Sequence, residues 1–303
     1  MYEISRFELA KLWDVDLNLL NKLTEEVDLG FKELSDKEFE ATMVHVIDTL
    51  QSDLIKAGQH RKGDWYSGWQ SNFEEYEKSK SVEATIPGYF ENSKFARWQN
   101  RWILPNDSQL ELKLLGALVD STLSKYSKSP SAIYEFGCGT GQHLFRLRKL
   151  FPESRLIGLD WATSSQDLIK SFSMHNDDSN LEGINFDFFS PREDLLIPPD
   201  SIFLTVAALE QVHDNHNLFV NWIMKKKPKY VINIEPIEEF LDPSNLLDSI
   251  SIKYFRKRNY LQGYFQYLLE LGKQGKLIIL DSRRTMFGSL FIEGYSVVVW
   301  KPH

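Results

Sequence analysis

The stretch "IYEFGCGTGQHLFRL", residues 133–147, decides how the chain is read. An apolar run of the kind found in buried strands carries Glu135 near its end. Three glycines follow at alternate positions, Gly137, Gly139 and Gly141, and helix-forming residues begin at once. Glycines so placed let the backbone turn sharply and let a ligand come close where any Cβ would collide. In open α/β sheets ligands lie beyond the carboxyl ends of the strands, at corners of this kind. A dinucleotide loop spaces its glycines G-x-G-x-x-G; here the third glycine arrives one position early and residue 142 is Gln. A phosphate loop of the Walker type is excluded, because no Gly-Lys-Ser/Thr follows.

Downstream of the glycines, β-rich runs alternate with helical ones. Strands are expected at 131–136, 155–160, 183–188, 201–207 and 229–235, and helices at 141–151, 163–174, 215–226 and 245–272. Such alternation predicts a parallel sheet covered on both faces. The last stretch, "GKLIILDSRRTMFGSLFIEGYSVVVWKP" (275–302), has strand-like runs without a helix between them, which predicts an antiparallel hairpin at one edge. Upstream, 35–58 reads as one helix, with Ser35 and Glu38 as a capping-box pair and Gly58 as its stop; 7–24 reads as helical too. Residues 64–104 hold four of the eight tryptophans and do not form a regular α/β unit. They are expected to be an aromatic strap on the main domain or a lid over its site. The division expected is 1–104, an N-terminal helical and aromatic-rich extension and lid, and 105–303, the main domain.

The pattern E-x-G-x-G-x-G after an apolar strand resembles motif I of the class I S-adenosylmethionine-dependent methyltransferases, over about 130–303. The resemblance implies a Rossmann-like α/β fold: a seven-stranded, mostly parallel sheet with an antiparallel terminal hairpin. It implies S-adenosylmethionine as cofactor, lying against Glu135, Gly137, Gly139 and Gly141. Asp160, nineteen residues beyond Gly141, matches the carboxylate that takes the ribose hydroxyls, and Trp161 would pack against adenine. Asp187 and Phe188 match the acid and the ring at the end of the third strand. Plain strand-end carboxylates capping the next helices are the alternative for Asp160 and Asp187. Arg97 resembles a lid residue that reaches the donor's carboxylate. Whole-chain resemblance to a bacterial subgroup of these enzymes steers the acceptor towards surface sugars.

A hydroxyl acceptor must lose a proton, so a base is expected near the methyl group. "TVAALEQVHD" (205–214) faces that spot: His213 is the expected base and Glu210 a positioning acid, and Glu235 ends the next strand on the same side. "KYFRKRNYLQGYF" (253–265) offers Tyr254, Arg256 and Arg258 for a phosphate or sugar, against the plainer reading of an exposed helix face. No metal is expected. Cys138 is expected to be a small filler of the glycine loop.

The chain of 303 residues is 42% apolar, enough for a large core. Its net charge of −8 argues against nucleic acid as a partner. A single cysteine permits no internal disulfide, and "MYEISRFELA" lacks the pattern of a signal peptide. No apolar run approaches the roughly 20 residues that span a bilayer. A cytoplasmic enzyme is expected that methylates a hydroxyl or amine of a small molecule, such as a sugar or nucleotide-activated sugar, and that pairs with itself through its N-terminal helices. The competing readings are a protein or RNA methyltransferase and a non-catalytic module that binds the donor.

Overall fold

The computed structural model describes residues 2–90 and 94–303; residues 91–93 of the expected strap lie outside the described residues. The chain opens with a short strand β1 (Tyr2–Glu3), helices α1 (Arg6–Trp13) and α2 (Leu17–Leu23), and strand β2 (Gly30–Glu33). The single helix expected over 7–24 is therefore two: Asp14 ends α1 in the left-handed region, and the Asp16 carboxylate accepts from Leu19 N to start α2. Helix α3 (Asp36–Gln51) has the expected capping box at Ser35 and Glu38 but stops seven residues before Gly58.

The aromatic stretch is more regular than its composition suggests. It begins with helix α4 (Lys62–Ser79), whose buried Trp69 and Tyr76 stand two turns apart. The remaining positions are mostly polar, small or exposed, so the helical period is carried by two side chains and escapes a search for an apolar stripe. After two 3-10 turns come strands β3 (Ala96–Trp98) and β4 (Arg101–Pro105). The extension is thus not only helical.

The main domain starts with helix α5 (Leu110–Tyr126), which the sequence reading does not single out, and then alternates. Strand β5 (Ala132–Phe136), helix α6 (Gln142–Leu150), strand β6 (Arg155–Asp160), helix α7 (Thr163–His175), strand β7 (Leu181–Asn185), strand β8 (Ser201–Val206), helix α8 (His216–Lys226) and strand β9 (Tyr230–Glu235) follow. The expected strand 183–188 slides two residues towards the N-terminus. The expected helix 245–272 is broken into α9 (Leu246–Arg258) and α10 (Tyr264–Lys273), because Asn259 and Gly263 both take positive φ. Strands β10 (Leu277–Arg283), β11 (Phe287–Gly288) and β12 (Ser296–Pro302) end the chain.

Among the described residues the main sheet has seven strands in the order β10-β12-β9-β8-β5-β6-β7. The five from β9 to β7 are mutually parallel, while β12 runs antiparallel to β9 and β10 antiparallel to β12. This is the Rossmann-like sheet with a reversed terminal hairpin that the resemblance implied. Alternation along each strand divides the core between two faces. Ile133, Leu156, Ile202 and Ile232 pack towards α5, α6 and α7, and Tyr134, Phe136, Ile157 and Phe203 pack towards α8 and α10.

Strand β11 does not join that sheet. It pairs with β3 and completes a second, antiparallel sheet of order β1-β2-β4-β3-β11. The extension is therefore bound to the β10–β12 connection by backbone pairing, and Trp13 Nε1 adds a bond to the Thr285 carbonyl at 3.2 Å.

Candidate active site at the carboxyl ends of the strands

The turn after β5 carries the site. Gly137, Gly139 and Gly141 all take φ between +53° and +78°, where a Cβ costs about 1–2 kcal/mol per residue. Space is the second reason for glycine here. A Cβ on Gly137 would stand 2.5 Å from Ala208 Cβ, and one on Gly139 would stand 3.0 Å from the Trp69 ring. The loop is tied to the end of β6: Gly137 N and Cys138 N both donate to the Leu159 carbonyl, and Gly139 N donates to Asp160 Oδ2 at 3.0 Å. Cys138 is buried and burial pushes its thiol well above the ordinary range, so it packs the loop as expected.

Beyond the loop lies a cavity of about 890 Å³, of a size that suits a cofactor together with a small second ligand. Its floor is the glycine turn. One wall is α4, with Trp65 and Trp69 stacked at 5.4 Å. That helix is anchored on α7, where Ser164 Oγ donates to the Tyr66 carbonyl at 3.0 Å and Tyr76 packs on Phe172. The opposite wall comes from α9 and from the connection before β12.

The cavity has two halves, set by the strand order. Towards β6 and β7 lie Glu135, Asp160, Trp161 and Phe188. Asp160 is buried; besides Gly139 it accepts from Ala162 N at 2.9 Å through Oδ1, and burial raises it to about 6. A carboxylate has roughly four lone-pair positions; Gly139 N and Ala162 N take two, and the Trp161 amide and Ser165 hydroxyl also favour the charged form of Asp160. Glu135 is 2% exposed, and its Oε2 has no hydrogen-bond partner among the described residues. Burial, helped by Asp160, pushes its carboxyl well above the ordinary range. A buried acceptor left open in this way costs about 1–3 kcal/mol unless a ligand fills it. Trp161 lies nearly parallel to Phe189 at 6.3 Å, and Phe188 meets Phe219 edge to face at 4.8 Å. Asp187 stands beside the cavity rather than in its lining: its Oδ1 accepts from Phe189 N at 2.9 Å and its Oδ2 faces Lys62 Nζ at 3.8 Å.

Towards β8, β9 and β12 lie Glu210, Gln211, Tyr254, Arg258 and Tyr260, together with Glu111 of α5 and Tyr295. Burial, aided by nearby Glu235, pushes Glu210 up to about 8. The Arg258 guanidinium lies 5.3 Å from the Tyr260 ring and 6.0 Å from the Tyr254 ring. Tyr295 Oη donates to Glu111 Oε1 at 2.7 Å, and burial raises that carboxyl to about 7.

Several expected site residues lie elsewhere. The chain reverses at His213 with φ of 53°, and its Nδ1 sits 2.9 Å from the Tyr260 carbonyl, so the ring is turned away from the cavity lining. Glu235 is fully buried behind the site. Its carboxylate accepts from Ala208 N and Leu209 N, at 3.0 and 3.2 Å from Oε2, and so fixes the turn that presents Glu210. Arg97 is 1% exposed and does not line this cavity. It donates to the Asp248 carboxylate and to Ser251 Oγ at 2.7 Å, with Glu293 at 3.5 Å, and Arg284 closes the same network from the far side. Buried side chains of this kind are held by opposite charges, which is a structural role. Arg256 is exposed and pairs with Glu238 at 2.6 Å. Glu111, Tyr295, Tyr89 and the Trp65–Trp69 pair were missed. The first three carry no motif, and the tryptophans were visible only as composition.

No protein-family model matches the chain, and no curated protein does. Among solved structures it is similar to a SAM-dependent methyltransferase from Aquifex aeolicus, at 11% identity over 60% of this chain and 88% of that one, with a TM-score of 0.44. It is similar to human N-acetylserotonin methyltransferase in complex with SAM, at 12% identity over 94% and 70% of the two chains and a TM-score of 0.45. It is also similar to the [4+2]-cyclase SpnF, at 11% identity over 83% and 98% and a TM-score of 0.48. Likeness at this level assigns no chemistry, and the site is read from its own residues.

Proposed function

We propose that the chain is an S-adenosylmethionine-dependent methyltransferase that acts on a hydroxyl or amine of a small molecule. The observation that carries the reading is the orphaned, buried Oε2 of Glu135 beside a glycine turn whose nearest neighbours leave no room for a Cβ. A cationic amino-acid tail suits that corner, because its ammonium supplies the missing partner of Glu135. Asp160 brings a carboxylate to the lining for ribose hydroxyls, and Trp161 and Phe188 offer aromatic faces to adenine. When bound, the donor supplies a methyl carbon activated by a positive sulfur.

The chain's own part is alignment and proton handling. Walls from α4, α9 and the connection before β12 hold an acceptor against the donor half, and holding two reactants in line supplies much of the acceleration. Glu210 replaces His213 as the proposed base. It lines the cavity, and a carboxyl raised to about 8 is matched to proton transfer near neutral pH. Glu210 takes the acceptor's proton as the acceptor's oxygen or nitrogen bonds to the methyl carbon. Gln211 Nε2 donates to Glu210 Oε1 at 3.0 Å and orients it. Two carboxyls, the buried Glu111 and the half-buried Glu210, line the acceptor half, which disfavours the phosphates of a nucleotide-activated sugar.

Calorimetry with S-adenosylhomocysteine tests the donor reading: one site per chain is expected, and absence of binding overturns it. For the base, Glu210→Gln is expected to lower turnover by about 10²–10⁴-fold with donor affinity kept, and His213→Ala to leave turnover within about threefold. The reverse order would return the proton to His213.

A further inference from the structure

The half of the cavity beside β8, β9 and β12 is furnished in a way that methyl transfer as such does not require. Glu111 reaches it from the first turn of α5 and Glu210 from the turn after β8. Gln211, 9% exposed, spends its amide nitrogen on Glu210, and its Oε1 has no partner among the described residues. Three acceptor-bearing side chains therefore line one space. Around them stand aromatic faces: Tyr254 stacks on Phe291 at 4.8 Å and 15°, and Tyr260 meets Tyr254 edge to face at 6.0 Å. Tyr89 also lines this space.

Among the described residues the cations lining the cavity are Arg61, Lys94 and Arg258. Arg61 is engaged by Asp64 at 3.2 Å, and Lys94 is solvent-exposed above the Phe95 ring. Arg258 remains as a single guanidinium against Glu111 and Glu210. A cation entering this space favours the ionised form of both carboxyls, whereas a carboxylate or phosphate would meet two further acceptors. Carboxylates combined with aromatic faces are the surroundings that recognise an ammonium.

We propose that the methyl acceptor is a primary or secondary amine on a flat or apolar body, its ammonium held by Glu111, Glu210 and Gln211 Oε1 and its body lying between Tyr254, Phe291 and Tyr260. The proposal rests on the donor reading above and narrows it to nitrogen. The step balances as follows. The ammonium gives one proton to the ionised Glu210 and becomes a neutral amine. Its lone pair forms the N–CH₃ bond as the C–S bond of the donor breaks, the sulfur keeps that pair, and the product leaves as a methylated ammonium. Tyr295, bonded to Glu111, is a positioning residue for the carboxylate.

The test uses the full chain saturated with S-adenosylhomocysteine and three matched probes, 2-phenylethylamine, 2-phenylethanol and phenylacetate, each titrated by calorimetry with ligand-observed NMR for weak binding. The amine is expected to bind about tenfold or more tighter than the other two. Glu111→Gln is expected to abolish that preference while S-adenosylhomocysteine affinity stays within about twofold, which also shows that the variant is folded. Glu210→Gln gives the same readout from the opposite side of the space. Equal binding of the three probes, tighter binding of phenylacetate, no binding of the amine, or a preference that survives both substitutions overturns the proposal. Failure of the unmodified chain to bind S-adenosylhomocysteine would instead strike the donor reading itself.

Discussion

Replacing Gly139 by alanine adds one carbon in the middle of the glycine turn. Two costs follow from the structure. The residue sits at φ +53°, where a non-glycine residue costs about 1–2 kcal/mol. Its new Cβ would stand 3.0 Å from Cζ2 of Trp69 and 3.3 Å from two further ring atoms, so the indole must move, at about 1–3 kcal/mol for overpacking. The sum is about 2–5 kcal/mol, or roughly 4–10 °C in the thermal midpoint at about 2 °C per kcal/mol for a chain of this size. Because Gly139 and Trp69 both line the cavity, the displaced ring should also lower affinity for S-adenosylhomocysteine by about tenfold or more, equivalent to about 1.4 kcal/mol. The two costs separate in a Trp69→Leu background. There the steric part is relieved and only the backbone part persists, so a double-mutant cycle should return a coupling of about 1–3 kcal/mol. Melts and calorimetry on the four proteins supply the numbers. A coupling below about 0.5 kcal/mol, or unchanged donor affinity in the single variant, would refute the reasoning.

Arg97→Met should destabilise the fold by about 3–5 kcal/mol in urea unfolding, since Asp248 and Glu293 lose a buried partner; donor affinity should stay within about twofold, and a selective loss of affinity would restore Arg97 to the site. Stability of the ligand-free chain should fall as pH rises from 6.5 to 8.5. Burial holds Glu111 at about 7 and Glu210 at about 8, so the folded state keeps protons that the unfolded chain has already released. Each group contributes a slope approaching 1.4 kcal/mol per pH unit between its unfolded value near 4.5 and its folded value, and the slope fades above about 7 for Glu111 and about 8 for Glu210. His143, lowered to about 3 by burial, acts with the opposite sign, but only below its unfolded value near 6.5. Glu111→Gln with Glu210→Gln should flatten the slope in part; a midpoint that rises over this range contradicts the assignment.

The main sheet was legible because its signals are local. Strand β6 has the expected limits, 155–160, since an unbroken apolar run ends at Asp160, and the glycine turn announces itself by spacing. Three kinds of feature were not. Helix α4 buries Trp69 and Tyr76 and little else, too few positions to fix a period. Helix α9 ends because Asn259 takes a left-handed conformation, a choice that the surrounding residues also permit to be helical. The acceptor half draws on positions 111, 210, 254 and 295, far apart in the sequence and brought together by sheet order alone. Glu235 and Arg97 show the complementary error. Each carries a functional residue type at a strand end or in a suggestive strap, yet each spends its charge on holding its neighbours.

The pairing of β11 with β3 also bears on how the molecule is made. Residues 97–98 wait for residues 287–288, and the Trp13 indole waits for the carbonyl of Thr285, 272 positions later. Contacts so distant in sequence form late. A ribosome-bound chain can therefore close the parallel part of the sheet early but cannot finish the chamber until residues 285–288 have emerged. Until then its acidic, aromatic interior stands open to water.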